Sequence, residues 1–138
     1  VGRGSKPGLS SGFMALQYTA TALVAESKVL THPASSDSIP TSGNFEDFVS
    51  MGPGAAFKAR SILENAEYVV SVELLCAAQG IDLRKKRGLG KGTRQVYRLI
   101  RRNVSELTQD RSLHQDVETV RQMVNKGQFA RIVRAHAS

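Results

Sequence analysis

The side chains with the clearest chemical potential are two adjacent carboxylates, Glu46 and Asp47. They follow a loop, residues 31–45, that is rich in proline, serine and threonine and has almost no apolar periodicity. A long apolar helical stripe comes next, so Glu46 is expected near a helix N-terminus, where the helix dipole stabilises negative charge. A carboxylate there could bind a substrate or accept a proton. Spacing alone fits an ordinary acid at a helix start better.

Two other reactive groups lie within the predicted long helix. Cys76 sits in an apolar run without a histidine on its helical face, which predicts a buried, inert thiol. Glu73 lies on the apolar face itself. Because buried charges are normally paired, we expect Glu73 to form an ion pair with a base of a neighbouring helix rather than to act in catalysis.

The remaining candidates for metal or redox chemistry are few. The histidines, His32, His114 and His136, are far apart and lack the paired spacing of metal ligands, so no metal site is predicted. A single cysteine cannot form an intrachain disulfide, which agrees with a reducing compartment and a cytoplasmic location.

The basic charge is concentrated in the second part of the chain. The net charge is +7, and residues 84–138 carry fourteen Lys and Arg against four Asp and Glu. The basic run at 84–94 is no Walker phosphate loop, since Gly92 separates Lys91 from Thr93 and no strand precedes it. No recognised nucleic-acid-binding motif is present. We therefore favour a solvated face that pairs with acids elsewhere, and keep a basic helical nucleic-acid-binding module as the competing class.

Two long helices must position the loop. Apolar residues at helical spacing predict the first from Gly12 to about Leu30 and the second from 47–50 to about Gln79, with Gly80 as its stop. A helix of about 30 residues spans about 45 Å, whereas a globule of this size has a radius of gyration of about 14 Å. The apolar stripe from Ala56 to Ala77 should therefore need another subunit or another part of the polypeptide to cover it.

Shorter helices complete an all-α prediction. They are expected at 93–107, 113–126 and 128–135, and no segment alternates as a strand would. No run approaches the roughly 20 apolar residues of a membrane span. We divide the chain into a loop or frayed end (1–11), core helices with the loop between them (12–83) and a basic helical tail (84–138).

Five segments resemble the histidine ammonia-lyases and their aromatic amino-acid lyase and aminomutase relatives. They are SGFM (11–14), ALVAESK (22–28), HPASSDSIPTS (32–42), EDFVSMG (46–52) and ELLCAAQGID (73–82). The segments lie in the family's order and spacing across residues 8–84, and residues 93–123 match more loosely through Tyr97 and the pair Asp110 and Arg111.

The resemblance implies a segment of the long-helix bundle of an ammonia-lyase-type fold, which assembles as a homotetramer with active sites shared between subunits. The family's electrophile is a methylidene-imidazolone formed from an Ala-Ser-Gly triad. The nearest tripeptides here, at 34–36 and 10–12, read Ala-Ser-Ser and Ser-Ser-Gly outside the family's context. We therefore expect the rest of the lyase polypeptide to supply the prosthetic group, and this chain alone to be inactive.

The resemblance also assigns site residues in the loop 31–46. Glu46 matches the family's active-site glutamate and is expected to bind the amino-acid substrate or accept a proton, with Asn44 shaping the pocket. The family usually has Gln before this glutamate and the histidine lyases have His after the Glu-Asp pair, where this chain has Phe45 and Phe48. These two residues are expected to line a drier substrate pocket.

The sequence thus predicts the carboxy-terminal part of an ammonia-lyase acting in histidine catabolism. Its reaction would convert histidine, or an aromatic amino acid, into a trans-acrylate such as urocanate. The choice of amino acid, and of lyase against aminomutase, stays open. A non-catalytic oligomerisation fragment is a further alternative, because the long apolar helix would suit it equally.

Overall fold

The computed structural model describes residues 8–36, 38–85 and 88–136, and these ranges form five α-helices. The helices are α1 (Met14–Leu30), α2 (Gly52–Leu83), α3 (Lys91–Asn103), α4 (His114–Asn125) and α5 (Gln128–Arg134). No strand occurs in these ranges, and a single isolated bridge joins Thr41 to Glu46. The all-α prediction is confirmed. Residues 1–7 of the predicted frayed end lie outside the described residues, as do residue 37 of the loop and residues 86–87 and 137–138 of the basic tail.

The chain folds around the second half of α2. Helices α1 and α4 both pack against α2, while α5 packs against α3 and α4. The most deeply buried apolar side chains are Leu75 of α2, Ile100 of α3 and Val120 of α4. Between α4 and α5 the backbone reverses at Gly127, whose φ of 65° lies in the left-handed region that favours glycine. The helix α4 ends at Asn125, one residue before the predicted end at 126.

The predicted bounds of α2 are wrong at both ends. The helix begins at Gly52 rather than at 47–50, because the preceding backbone is held in loop hydrogen bonds. It continues past Gly80 to Leu83, because the side chains of Gln79 and Asp82 are buried and hydrogen-bonded to α3 and to the segment that follows it. Tertiary contacts thus extend α2 beyond Gly80, the residue at which the sequence predicted the helix to stop.

The predicted end of α3 at Leu107 is also wrong. The helix ends at Asn103, and Val104 is extended with φ −132° and ψ 123°. Leu107 is buried, and its backbone N–H and carbonyl bond the side-chain amide of Gln79 at 3.0 and 2.9 Å. These bonds hold the residues after α3 against α2 instead of in a further helical turn.

The apolar stripe of α2 is only partly covered by the described residues. All buried residues of α2 lie between Ser71 and Asp82, and none lies in 52–70. Leu63 is 62% exposed and Val70 is 41% exposed. The described residues therefore leave part of the predicted stripe exposed, and its cover by another subunit or another part of the polypeptide stays a prediction.

Two predictions about the outer side of α2 are wrong. Cys76 is exposed rather than buried, although partial desolvation raises the pKa of its thiol and so disfavours the thiolate. Glu73 is exposed and has no ion pair with any described residue. Both residues lie along a groove between α1 and α2 instead of inside the core, so Glu73 needs no buried partner.

Candidate active site

The loop between α1 and α2 carries a short hairpin, residues 41–46. The backbone N–H of Thr41 donates to the carbonyl of Glu46 at 3.0 Å, and the N–H of Glu46 donates back at 3.3 Å. The carbonyl of Thr41 also accepts the N–H of Asn44 at 3.1 Å. These bonds bring two residues five positions apart directly opposite each other.

Three consecutive residues at the tip of the hairpin have left-handed backbone. Their φ angles are 54° at Ser42, 65° at Gly43 and 72° at Asn44. Glycine and asparagine tolerate this region, whereas serine is strained in it. Strained backbone of this kind persists only where surrounding contacts hold it, and it occurs often at functional sites.

Side-chain bonds fasten the hairpin and the loop. The hydroxyl of Ser38 accepts the N–H of Val49 at 2.8 Å and lies 3.3 Å from the carbonyl of the same residue. At the start of the loop, the ammonium of Lys58 on α2 donates to the carbonyl of His32. The hairpin is therefore tied at its base and the loop is tied to α2.

The structure brings all four predicted site residues together on this hairpin and directly after it. Asn44 and Glu46 are exposed, and the side chains of Phe45 and Phe48 are 89% and 74% exposed. The carboxylate of Glu46 accepts a hydrogen bond from the Thr41 hydroxyl, with Oγ1 and Oε2 3.1 Å apart. The site residues thus point outward, where a second surface could complete a pocket.

The expected helix-dipole contact of Glu46 is wrong. The residue lies six positions before Gly52, the first residue of α2, and so outside the first turn in which the dipole acts. Its charge is instead held by the hairpin. Spacing could not reveal this, because the apolar stripe that predicted the helix does not show where the loop hydrogen bonds end.

Neither tripeptide near to Ala-Ser-Gly fits the electrophile that the family resemblance implies. Residues Ala34–Ser36 form an exposed turn of 3-10 helix and lack the glycine. In the other, the backbone N–H groups of Ser11 and Gly12 donate to the carboxylate of Asp110 at 2.6 and 2.9 Å. These bonds lower the pKa of Asp110 and fix the segment as a structural contact, so no catalytic step follows from it.

A buried polar cluster at the end of α2 was missed by the sequence reasoning. Asp82 is 1% exposed and accepts hydrogen bonds from the Tyr97 hydroxyl and, at 2.7 Å, from Arg101 Nε. Arg101 Nη1 also donates to the carbonyl of Val104 at 3.2 Å. The sequence held one signal for this cluster. Asp82 directly follows the apolar stripe and does not precede a predicted helix that it could cap. The cluster joins α2 to α3 and has a structural role.

A second ionic cluster joins α2 to α4. Arg121 donates to Glu118 at 2.7 Å and to Glu67 at 3.1 Å, and its guanidinium lies 5.0 Å from the centre of the Tyr68 ring. Hydrogen bonds from Arg121, aided by the Tyr68 hydroxyl, lower the pKa of Glu118 to about 2. The same contacts raise the pKa of Arg121, while desolvation and the nearby Glu118 raise that of Tyr68.

The outer face of α3 is a basic stripe. Its exposed cations are Lys91, Arg94, Arg98 and Arg102, spaced three or four positions apart, and α3 contains no acidic residue. None of the four forms an ion pair with a described residue.

The described ranges hold no group of three potential His, Cys, Asp or Glu metal ligands. Within the same ranges, no helix has the length and apolar character needed to cross a membrane.

The sequence model of the aromatic amino acid lyase family matches residues 3–102. The chain belongs to the aromatic amino acid lyase family. The match contains α1, the hairpin, α2 and all but the last residue of α3. The resemblance found in the sequence is therefore confirmed, and the hairpin lies within the matched region.

Named relatives in the family share both sequence and fold with the chain. The histidine ammonia-lyase of Natranaerobius thermophilus is 56% identical over 122 residues, which are 88% of this chain and 24% of that protein. The solved histidine ammonia-lyase of Trypanosoma cruzi has a TM-score of 0.90 and 40% identity, covering 95% of this chain and 26% of that one. The tyrosine aminomutase of Streptomyces globisporus has a TM-score of 0.89 and 40% identity, covering 95% and 25%.

The chain spans about a quarter of the length of these relatives. The ammonia-lyase-type helical fold predicted from the sequence is confirmed by them. Their names include an ammonia-lyase and an aminomutase, so membership of the aromatic amino acid lyase family does not by itself select the reaction or the amino acid.

Proposed function

We propose that this chain is the carboxy-terminal part of an amino-acid ammonia-lyase that acts on histidine or an aromatic amino acid. The observation that carries the proposal is the hairpin at 41–46. Its backbone is hydrogen-bonded between Thr41 and Glu46 and strained at its tip, and it lies within the region that matches the family model. The 56% identity to a histidine ammonia-lyase supports a carbon–nitrogen lyase of this kind.

In this proposal Glu46 binds the amino acid or takes a proton from the carbon next to the one that bears the amino group. Loss of that proton and of ammonia leaves a carbon–carbon double bond, which gives a trans-acrylate such as urocanate. A positioned carboxylate is suited to either task. Asn44, Phe45 and Phe48 form one wall of the pocket, and the two aromatic rings exclude water from it.

In this proposal the rest of the active site comes from parts of the lyase outside these 138 residues. A methylidene-imidazolone in another part of the lyase supplies the electrophile, and this chain by itself eliminates nothing. Further subunits of a homotetramer cover the exposed stripe of α2. The outward-facing site residues and the uncovered Leu63 and Val70 support such an assembly.

A chimera tests the proposal. The 138 residues replace the matching quarter of the Natranaerobius thermophilus histidine ammonia-lyase, and acrylate formation is followed by absorbance. We expect the chimera to eliminate ammonia and Glu46→Ala to lower kcat/KM at least about a hundredfold, as for loss of a general base. The neighbouring substitution Asp47→Ala removes a carboxylate of the same kind and should stay within a few-fold. A chimera equally active with Glu46→Ala would contradict the assignment.

The basic stripe of α3 supports a second candidate, a nucleic-acid-binding module. Contacts with phosphates would make binding to random duplex DNA fall steeply as salt rises. Arg98→Ala and Arg102→Ala together would then weaken binding and reduce its salt dependence. The lyase proposal instead predicts only weak ionic attraction to DNA, and no change in elimination by the chimera with these two substitutions.

A further inference from the structure

Thr41 contributes four hydrogen bonds to the hairpin. Three of them use its backbone N–H and carbonyl and would survive any side chain other than proline at this position. The fourth uses the hydroxyl, which donates to Glu46 Oε2 at 3.1 Å. Only a residue with a hydroxyl on Cβ can make this fourth bond in the same way.

The hydroxyl contact matters because little else holds the Glu46 side chain. Glu46 is exposed, and its only hydrogen-bond partner among the described side chains is Thr41. An exposed glutamate otherwise samples many rotamers, and fixing one costs conformational entropy. The strained backbone at 42–44 places the glutamate opposite Thr41, and the hydroxyl then selects one orientation of its carboxylate.

We propose that Thr41 is a positioning residue for the active-site carboxylate, a role that rests on the proposed lyase function. Its hydroxyl holds Oε2 and leaves Oε1, which has no hydrogen bond to any described residue, as the oxygen that meets the substrate. The carboxylate is thereby oriented before the amino acid binds. Such preorganisation raises rate because a small misplacement of a reacting group is costly.

The lyase chimera allows a matched test. Thr41→Val keeps the β-branched shape and the backbone bonds but removes the hydroxyl, whereas Thr41→Ser keeps the hydroxyl. We expect Thr41→Val to lower kcat/KM about tenfold to a hundredfold and Thr41→Ser to stay within about threefold of the native residue. Thermal unfolding of the two variants should agree, which separates positioning from folding.

A double substitution distinguishes positioning from a general structural effect. If Thr41 acts through Glu46, adding Thr41→Val to Glu46→Ala lowers activity no further, because the two substitutions remove the same interaction. Additive losses would overturn the proposal. Activity that depends on Glu46 but is unchanged in Thr41→Val would overturn it too, while leaving the lyase function standing. An inactive chimera, or one indifferent to Glu46→Ala, would remove the lyase function and this role together.

Discussion

The acidic side chains of this protein differ in how firmly they are committed to structure. Asp82 is buried and bonded by Tyr97 and Arg101, and Glu118 accepts hydrogen bonds from Arg121 and Tyr68. Glu46, by contrast, is exposed and receives one bond from a hydroxyl. A carboxylate with one oxygen held and one free can meet a substrate, whereas a carboxylate with both oxygens occupied stabilises the fold.

Because the pKa of Glu118 is lowered in the folded chain, the free energy of unfolding depends on pH in the acidic range. Its ordinary value of 4.5 falls to about 2 in the folded chain, because Arg121 donates to the ionised form. The stabilisation is therefore complete above about pH 4.5 and is lost as the pH falls from there towards 2. Urea denaturation at a series of pH values should show this loss.

Glu118→Gln is the control for this pH dependence, because glutamine keeps the shape and cannot titrate. The free energy of unfolding of the variant should vary less between pH 4.5 and 2 than that of the native chain. A remaining slope is expected from Asp110, whose pKa is also lowered. Equal slopes in the two proteins would contradict the role given to Glu118.

At the scale of secondary structure, α2 consists of two halves with different surroundings. Residues 71–83 pack within the described chain and end in the buried cluster around Asp82, whereas residues 52–70 have no buried member. One continuous helix thus connects the core to the loop at its other end. The hairpin needs this support, since the contact between Lys58 and His32 fastens the loop to the half of α2 that lies outside the core.

Removing the Asp82 carboxylate should weaken the end of α2 that lies in the core. Asp82→Ala removes the buried carboxylate that accepts hydrogen bonds from Arg101 and the Tyr97 hydroxyl, and we expect a loss of about 3 kcal/mol in the free energy of unfolding. Amides of residues 80–84 should exchange faster with solvent. Glu73→Ala, on the exposed side of the same helix, should change stability by less than about 0.5 kcal/mol. Similar losses in both variants would show that the cluster has no special role.

At the scale of the whole molecule, the described residues expose several large apolar side chains. The stripe of α2 is exposed at Leu63 and Val70, and α1 adds exposed side chains at Tyr18 and Val29. Apolar side chains exposed along one helix face are suited to an interface with another protein surface. The basic stripe of α3 adds exposed positive charge to the surface of the chain.

The exposed stripe predicts association. In sedimentation experiments the 138-residue chain should form oligomers whose population rises with concentration, and Leu63→Lys should shift it towards monomer because it places a charge within the stripe. Ser61→Lys adds the same charge to the same helix away from the stripe and should have little effect. Association that is unchanged by Leu63→Lys would place the contact elsewhere.

The sequence by itself determined the helical class, the order of the helices, the family and the segment that carries Glu46. These features depend on local information, namely apolar spacing along one helix face and short motifs that can be recognised in place. The prediction of an external cover over α2 likewise came from the length of the helix and its apolar stripe.

Only the tertiary structure decided where α2 and α3 end, that Cys76 and Glu73 face outward and that Asp82 is buried. It also decided that Glu46 pairs with Thr41 in a hairpin rather than starting a helix. The ends of α2 and α3 rest on contacts between distant residues, such as Gln79 with Leu107 and Asp82 with Arg101, whereas the hairpin rests on hydrogen bonds within the loop that apolar spacing does not show. Such contacts override local propensity, since a buried polar group must find its partner wherever the chain brings one.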